Sequence, residues 1–457
     1  MAITKAKNRV ILVACPLEGH MTPMIQLGSM LHSKGFSITV AHTEFNSPNP
    51  QNHPDFTFLK LPENLAAGTD TSFFNLLPIL FAINNNCKDA LHNYLDRMMK
   101  NQENEGTVAC VIYDTLMYFA DSVAFELKIP SLIFRNTNAA YLRSLRVNLQ
   151  LYNEKTDLLP ASRLLDPVPG LDPLRFRDLP NPLDVPVPEI VMQFQVNLIE
   201  TRSSLAYIWN TSDELEDSDL TDLKQHYQQV KFFSIGPFHK MVPPKSTTLL
   251  EEDKTCIDWL NKQAENSVVY ISLGSLAMMD GKDLIEMAWG LANSKQPFLW
   301  VIRPGSIKGS KWIENLPEDF EEKIENRGRI VKWAPQREVL SHKAVGAFWS
   351  HCGWNSTLEG ICEGLPIICR PIFADQKVNA RYLSHVWKMG ILLENFSENR
   401  ETIEKCIRKV MVDEEGKEMR KNALNLKGKL DACVSHGGTS SKSLNDLSDF
   451  IHSLTTK

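Results

Sequence analysis

Val10 to Cys15 is an unbroken apolar run, VILVAC. Such a run predicts a parallel strand buried on both faces. Thr22 then stands as a helix cap and Pro23 as a first helical residue. Met24, Leu27, Met30 and Leu31 follow at helical spacing, and Gly35 stops the helix. Phe36–Ala41 reads as a second strand. Val108–Tyr113 reads as another, ending at Asp114 and followed by a helix over Met117–Leu127 and a strand over Leu132–Phe134. This alternation predicts an α/β protein with a doubly wound sheet.

The texture changes from Pro160 to Pro188, where prolines recur and periodicity fades. Irregular surface structure at the mouth of a pocket is expected there. Met241–Asp253 (MVPPKSTTLLEED) reads as a linker. The βαβ pattern then restarts. Strands are predicted at Ser267–Leu273, Phe298–Ile302, Arg329–Lys332, Val345–Trp349 and Ile367–Cys369, with a helix over Asp283–Leu291. Glu418–Lys427 and Ser443–Leu454 look helical, separated by His436-Gly437-Gly438. The expected organisation is a domain over residues 1–240, a linker over 241–253, a second domain over 254–435 and a terminal helix within 436–457. A cleft between two such sheets, beyond the carboxyl ends of their strands, is where ligands are expected.

Composition narrows the function classes. The 457 residues are 43% hydrophobic and 23% charged, with a net charge of −6. No basic surplus exists to neutralise a nucleic acid. The N-terminal apolar run is short and is followed at once by Pro16, Glu18 and His20, so it is expected to be a strand and not a signal peptide. No stretch approaches the length of a membrane span. Nine cysteines without a C-x-x-C pair suggest reduced thiols and a cytoplasmic protein. Asn210-Thr211-Ser212 and Asn395-Phe396-Ser397 match the glycosylation pattern, expected by chance.

The densest chemistry lies between Trp333 and Gln376. The strand Val345–Trp349 leads through Ser350-His351-Cys352-Gly353 into a helix opened by Asn355-Ser356-Thr357. A helix start offers unpaired N–H groups and partial positive charge, a natural diphosphate seat. His351, Asn355 and Ser356 add donors, and Ser275, after another strand, is placed to reach the same phosphates. Trp333 follows a strand end, where its indole can stack on a base. Glu359, one turn into the helix, can accept from ribose hydroxyls, and Asp375 and Gln376 from those of a sugar. The plainer alternative is that Asn355 and Ser356 only cap a helix and Trp333 is core.

His20 and Asp114 form a second constellation. Both are expected at carboxyl ends of strands in the first sheet, His20 in the loop leaving its strand. A carboxylate accepting from one imidazole nitrogen sets the tautomer and raises the basicity of the other. The alternative for Asp114 is a turn cap. Cys15 is expected to be a packed thiol. Asp217-Ser218-Asp219 lies in an acidic run read as solvated, and no metal is assigned. Met278-Met279 and Phe73-Phe74 either line an acceptor pocket or are packing. No P-loop, G-x-S-x-G, H-E-x-x-H or G-x-G-x-x-G occurs.

The 333–376 segment resembles, nearly letter for letter, the signature of the plant family 1 UDP-sugar-dependent glycosyltransferases. The likeness extends to Gly19-His20, Asp114, Ser272-Leu273-Gly274-Ser275 and Arg303-Pro304-Gly305. The chain looks similar to the subgroup with the cytokinin N-glucosyltransferases and steviol-glycoside glucosyltransferases. The resemblance implies a GT-B fold of two Rossmann-like domains facing a central cleft, the last helix crossing back to the first domain. It gives His20 as general base and Asp114 as its partner. It implies that Trp333 stacks on uracil, that Ala334 and Gln336 border the nucleoside, and that Glu359 binds the ribose. His351, Asn355, Ser356 and Ser275 would hold the diphosphate; Trp354, Asp375 and Gln376 would contact the sugar, with Thr137 touching it from the first domain. Gln376 points to UDP-glucose as co-substrate, with no other cofactor and inversion to a β-glucoside. The expected protein is a monomer acting on a small apolar metabolite whose identity the acceptor loops do not reveal. Arg370 and Lys377, bracketing the sugar end, are placed to modify donor choice. UDP-xylose, UDP-galactose or UDP-rhamnose are the rival donors. A non-catalytic sugar-nucleotide-binding protein is expected to lack His20, Asp114 or the phosphate seat, and all three are present.

Overall fold

The computed structural model describes residues 8–65, 76–101, 106–154, 158–182, 184–243, 251–393 and 399–455. They form two compact units. One takes the described residues within Met1–Leu158, Val185–Leu249 and Ala432–Lys457, the other those within Leu159–Asp184 and Leu250–Asp431.

The first unit is built on a seven-stranded parallel sheet. Its strands are β1 (Arg9–Val13), β2 (Ser37–Thr43), β3 (Phe56–Leu61), β4 (Val108–Asp114), β5 (Ser131–Arg135), β6 (Ala206–Trp209) and β7 (Lys231–Ser234). Their order is β3-β2-β1-β4-β5-β6-β7. Every residue of β4 is buried, as its apolar run Val108–Tyr113 demands, and the burial extends to Asp114 at its end. The strand order reverses between β1 and β4, and at such a switch point the flanking loops part and leave a crevice.

The helix after β1 spans Glu18–Ser33, starting earlier than Thr22. The amides of His20 and Met21 both bond to the Leu17 carbonyl at 2.8 Å. Leu17, Met21 and Met24 are buried at helical spacing, so the apolar face begins a turn sooner than the Thr-x-x-x punctuation suggests. His20 therefore sits in the first helical turn and not in a loop, and Pro23 lies inside the helix. The helix Thr439–Leu454 belongs to this unit, where Leu444, Leu447 and Ile451 join a core containing Val10, Leu12 and Ile112.

The second unit carries a six-stranded parallel sheet. Its strands are β8 (Val268–Ser272), β9 (Phe298–Val301), β10 (Gly328–Val331), β11 (Val345–Ser350), β12 (Ile367–Cys369) and β13 (Gly390–Leu392). The order β10-β9-β8-β11-β12-β13 repeats the first pattern, with its reversal between β8 and β11.

Two expectations need correction. Leu159–Asp184 groups with the second unit, although composition alone ran the first region to residue 240. Its grip is polar: Arg381 donates through Nε to the Pro173 carbonyl at 2.9 Å and lies 3.7 Å from the Asp178 carboxylate. The acidic run is not simply solvated either. The helix Asp213–His226 buries Leu215, Leu220 and Leu223, and this rotation carries Glu216 and Asp219 inward with them. Glu216 accepts from Ala139 N at 2.8 Å, Ala140 N at 3.2 Å and Thr211 Oγ1 at 2.7 Å. Asp219 takes the Arg143 guanidinium. Met279 is core of the second unit. Phe73-Phe74 and Asn395-Phe396-Ser397 lie outside the described residues.

Candidate active site

Asp114 ends β4 and is completely buried. A buried carboxylate must be hydrogen-bonded. Its Oδ2 lies 2.8 Å from His20 Nδ1, and its Oδ1 accepts from Leu116 N at 2.9 Å. The second contact is the turn cap anticipated as the bland alternative, so the carboxylate does both jobs at once. With Asp114 as acceptor, His20 carries its proton on Nδ1 and leaves Nε2 with a lone pair. The imidazole is 20% exposed and so keeps a face toward solvent. Cys15 stands beside this pair. Burial, and then the Asp114 charge, pushes its thiol well above the usual range, as befits an inert packed residue. Thr137 is half-buried in the turn after β5, on the adjacent strand end.

The second unit assembles its polar groups at its own switch point. The helix Trp354–Glu363 begins after Gly353, with no side-chain cap on its first turn. Its first turn points backbone N–H groups toward the loop that precedes it, the end of a helix that suits an anion. His351 leads into that turn. A Cβ at Gly274 would fall 2.6 Å from its Nε2, and one at Gly353 2.5 Å, so only glycines at both places leave room for the ring. Gly274 also takes φ +80, a conformation glycine adopts without strain. Burial drives the His351 pKa down to about 4, with a Ser272 backbone contact acting in the opposite sense. The ring is therefore neutral at physiological pH and offers one N–H. Ser275 is half-buried on the same β8 loop.

Gln336 links three neighbouring side chains. Its Nε2 donates to Ser356 Oγ at 3.0 Å and Glu359 Oε2 at 2.7 Å, while its Oε1 accepts from the Tyr270 hydroxyl at 3.3 Å. Burial raises the Glu359 pKa, and the Gln336 hydrogen bond pulls it back. Trp333 is half-buried just beyond β10, and Ala334 is buried. Trp354 is buried, its ring 6.4 Å from Trp387.

At the far end, Gln376 Oε1 accepts from Ile372 N at 2.8 Å and Phe373 N at 3.1 Å. That fixes the amide orientation and leaves Nε2 as its donor. Asp375 Oδ2 accepts from Asn379 Nδ2 at 2.8 Å, and the same amide donates to the Cys352 carbonyl at 2.8 Å. Asn379, fully buried, was not singled out from sequence. It joins two turns, and each holds a non-glycine residue in the left-handed region, Cys352 at φ 64 and Ala374 at φ 54. Its only signal was the Asp375–Asn379 spacing of one helical turn. Arg370 is buried against Asp283 at 3.2 Å. Lys377 is depressed by burial, with Asp184 and Asp178 opposing. Among the described residues no helix is long and apolar enough to cross a membrane.

The family model described as UDP-glucoronosyl and UDP-glucosyl transferase matches residues 249–428. The chain is 52% identical over 455 residues to UDP-glycosyltransferase 76E1 of Solanum lycopersicum, covering 99% of this chain and 94% of that protein. It is 48% identical over 456 residues to flavonol 3-O-glucosyltransferase UGT76E12 of Arabidopsis thaliana, covering 98% of each. Among solved structures, UDP-glucose: anthocyanidin 3-O-glucosyltransferase in complex with UDP superposes with a TM-score of 0.84 at 26% identity, covering 98% of this chain and 100% of that one. The chain belongs to the plant family 1 UDP-glycosyltransferases and has their GT-B fold.

Proposed function

We propose that this enzyme transfers glucose from UDP-glucose, with inversion, to a hydroxyl, carboxyl or ring nitrogen of a small, largely apolar plant metabolite. The observation that carries the reading is the 2.8 Å contact between His20 Nδ1 and the buried Asp114 carboxylate. An acceptor hydroxyl is a poor nucleophile near neutral pH and needs a base within hydrogen-bond reach. His20 Nε2 takes the proton as the acceptor oxygen bonds to the anomeric carbon. The bond from that carbon to UDP breaks on the opposite face, and its electron pair leaves with the diphosphate. An α-linked donor then gives a β-glucoside.

The growing charge on the diphosphate is met by the uncapped helix turn, by the neutral His351 N–H, and by Asn355, Ser356 and Ser275. These groups supply the stabilisation without an assigned metal ion or further cofactor. Trp333 would stack on uracil, Ala334 and Gln336 border the nucleoside, and Glu359 accept from the ribose. Gln376 Nε2, Asp375 and Trp354 would contact the sugar, with Thr137 as a further contact. Glucose is favoured by Gln376 and by the names of relatives such as the flavonol glucosyltransferase.

The test is a donor panel with one flavonol acceptor. UDP-glucose turnover should exceed that of UDP-xylose and UDP-galactose by about tenfold or more, the scale on which a site built to hydrogen-bond a sugar discriminates. The anomeric proton coupling of the product should be that of a β-glucoside. Equal use of UDP-xylose would overturn the glucose assignment, and an α-product would overturn inversion. His20→Ala should slow transfer by roughly 10²–10⁴-fold, the usual worth of a general base.

A further inference from the structure

We propose that Asn136 is a positioning residue for His20, gripping the first turn of its helix at a carbonyl that Pro23 cannot serve. The inference rests on His20 being the base. In an α-helix each carbonyl accepts from the N–H four residues on. For Gly19 that residue is Pro23, which lies inside the helix Glu18–Ser33 and has no N–H. The Asn136 side chain supplies a donor instead, its Nδ2 bonding to the Gly19 carbonyl. Asn136 is buried and is the first residue beyond β5.

The direction of this bond is enforced along a chain. The Phe238 backbone N–H can only donate, and it bonds to Asn210 Oδ1 at 2.9 Å. Asn210 Nδ2 therefore faces Asn136 Oδ1, at 3.2 Å. That leaves Asn136 Nδ2 for the Gly19 carbonyl, which can only accept. Asn210 is buried just past β6, so its match to the glycosylation pattern conceals a structural amide. The base is thus held from two sides. Asp114, at the end of β4, sets the ring, and Asn136, at the end of β5, sets the backbone that carries it. Without the second hold, the ring could meet its carboxylate with the helix end displaced. A displacement on the order of an ångström costs about 100-fold in rate.

Asn136→Asp keeps the shape but places a carboxylate where the Gly19 carbonyl needs a donor. Its kcat should fall by about 10- to 100-fold, while the KM for UDP-glucose holds. Calorimetric titration with UDP counts the molecules with an intact donor site, so a smaller folded fraction is not mistaken for a slower one. In the His20→Ala background the substitution should cost nothing further, because it acts through the imidazole. Should Asn136→Asp fail to fold, Asn136→Ala serves. Adding Pro23→Ala, which returns an N–H within reach of the Gly19 carbonyl, should recover much of the lost rate. Wild-type kcat in both Asn136 variants, or losses that multiply with His20→Ala, would overturn the proposal. Undiminished activity of His20→Ala itself would overturn the base assignment.

Discussion

Each sheet puts a histidine at its strand-order reversal, and the two histidines are treated in opposite ways. His20, beside β1 and β4, faces a buried carboxylate at 2.8 Å, and its side chain stays 20% exposed. His351, beside β8 and β11, is wedged between two glycine backbones, and burial drives its pKa down to about 4. The first environment suits a ring that accepts a proton. The second suits a ring that stays neutral and donates one hydrogen bond to an anion. Topology supplies the crevice twice, and the residues around each imidazole assign its task.

The strongest way to break that contrast is Asp114→Asn. An amide there can hold the ring in the wrong tautomer, as the Ser-His-Asp template illustrates, and kcat should fall on the order of 10³-fold. Calorimetry should find UDP binding unchanged, because the proposed donor seat lies at the other reversal. Loss of UDP affinity would mean the two sites are not chemically separate.

The next effect concerns stability and sharpens the His351 side. Its folded pKa of about 4 lies below the 6.5 of a free imidazole. Above pH 6.5 neither folded nor unfolded chain protonates it. As pH falls from 6.5 toward 4, the unfolded chain takes up a proton that the folded chain refuses. Stability should therefore decline across that window, by at most about 3 kcal/mol given partial exposure of the ring. His351→Gln should flatten the decline in urea denaturation measured from pH 7 to pH 4.5. An identical slope in both proteins would show the ring is not held neutral.

The smallest effect is Gln336→Ala. It removes the donor shared by Ser356 and Glu359, so UDP affinity should weaken by about tenfold, one or two hydrogen bonds' worth. The kcat at saturation should hold. A loss of kcat with unchanged affinity would place Gln336 in the chemical step.

Much of this was legible from the chain. VILVAC and VACVIY are continuous apolar runs with one reasonable reading, and Ile367–Cys369 came out with the same bounds. The residues proposed for the donor stand out in the sequence because they crowd into one segment. What stayed hidden had a weak local signal and a strong distant partner. The helix of His20 starts at Glu18 because Leu17 and Met21 pack inward, against the punctuation of Thr22-Pro23. The proline-rich Leu159–Asp184 stretch carries no periodicity, and its place follows from contacts with Arg381. Asn136, Asn210 and Asn379 are ordinary asparagines in a sequence, and only hydrogen-bond partners far along the chain give them meaning. The same holds for Glu216, lost in an acidic run until its three donors are seen.

The helix Thr439–Leu454 makes the order of synthesis matter. Leu444, Leu447 and Ile451 complete an apolar layer whose other members lie mostly before residue 240. A nascent chain must thus wait through the whole second sheet before it can close the first. A fragment ending near residue 243 should emerge with that layer bare and aggregate, while co-expression of a peptide spanning 432–455 should restore its solubility.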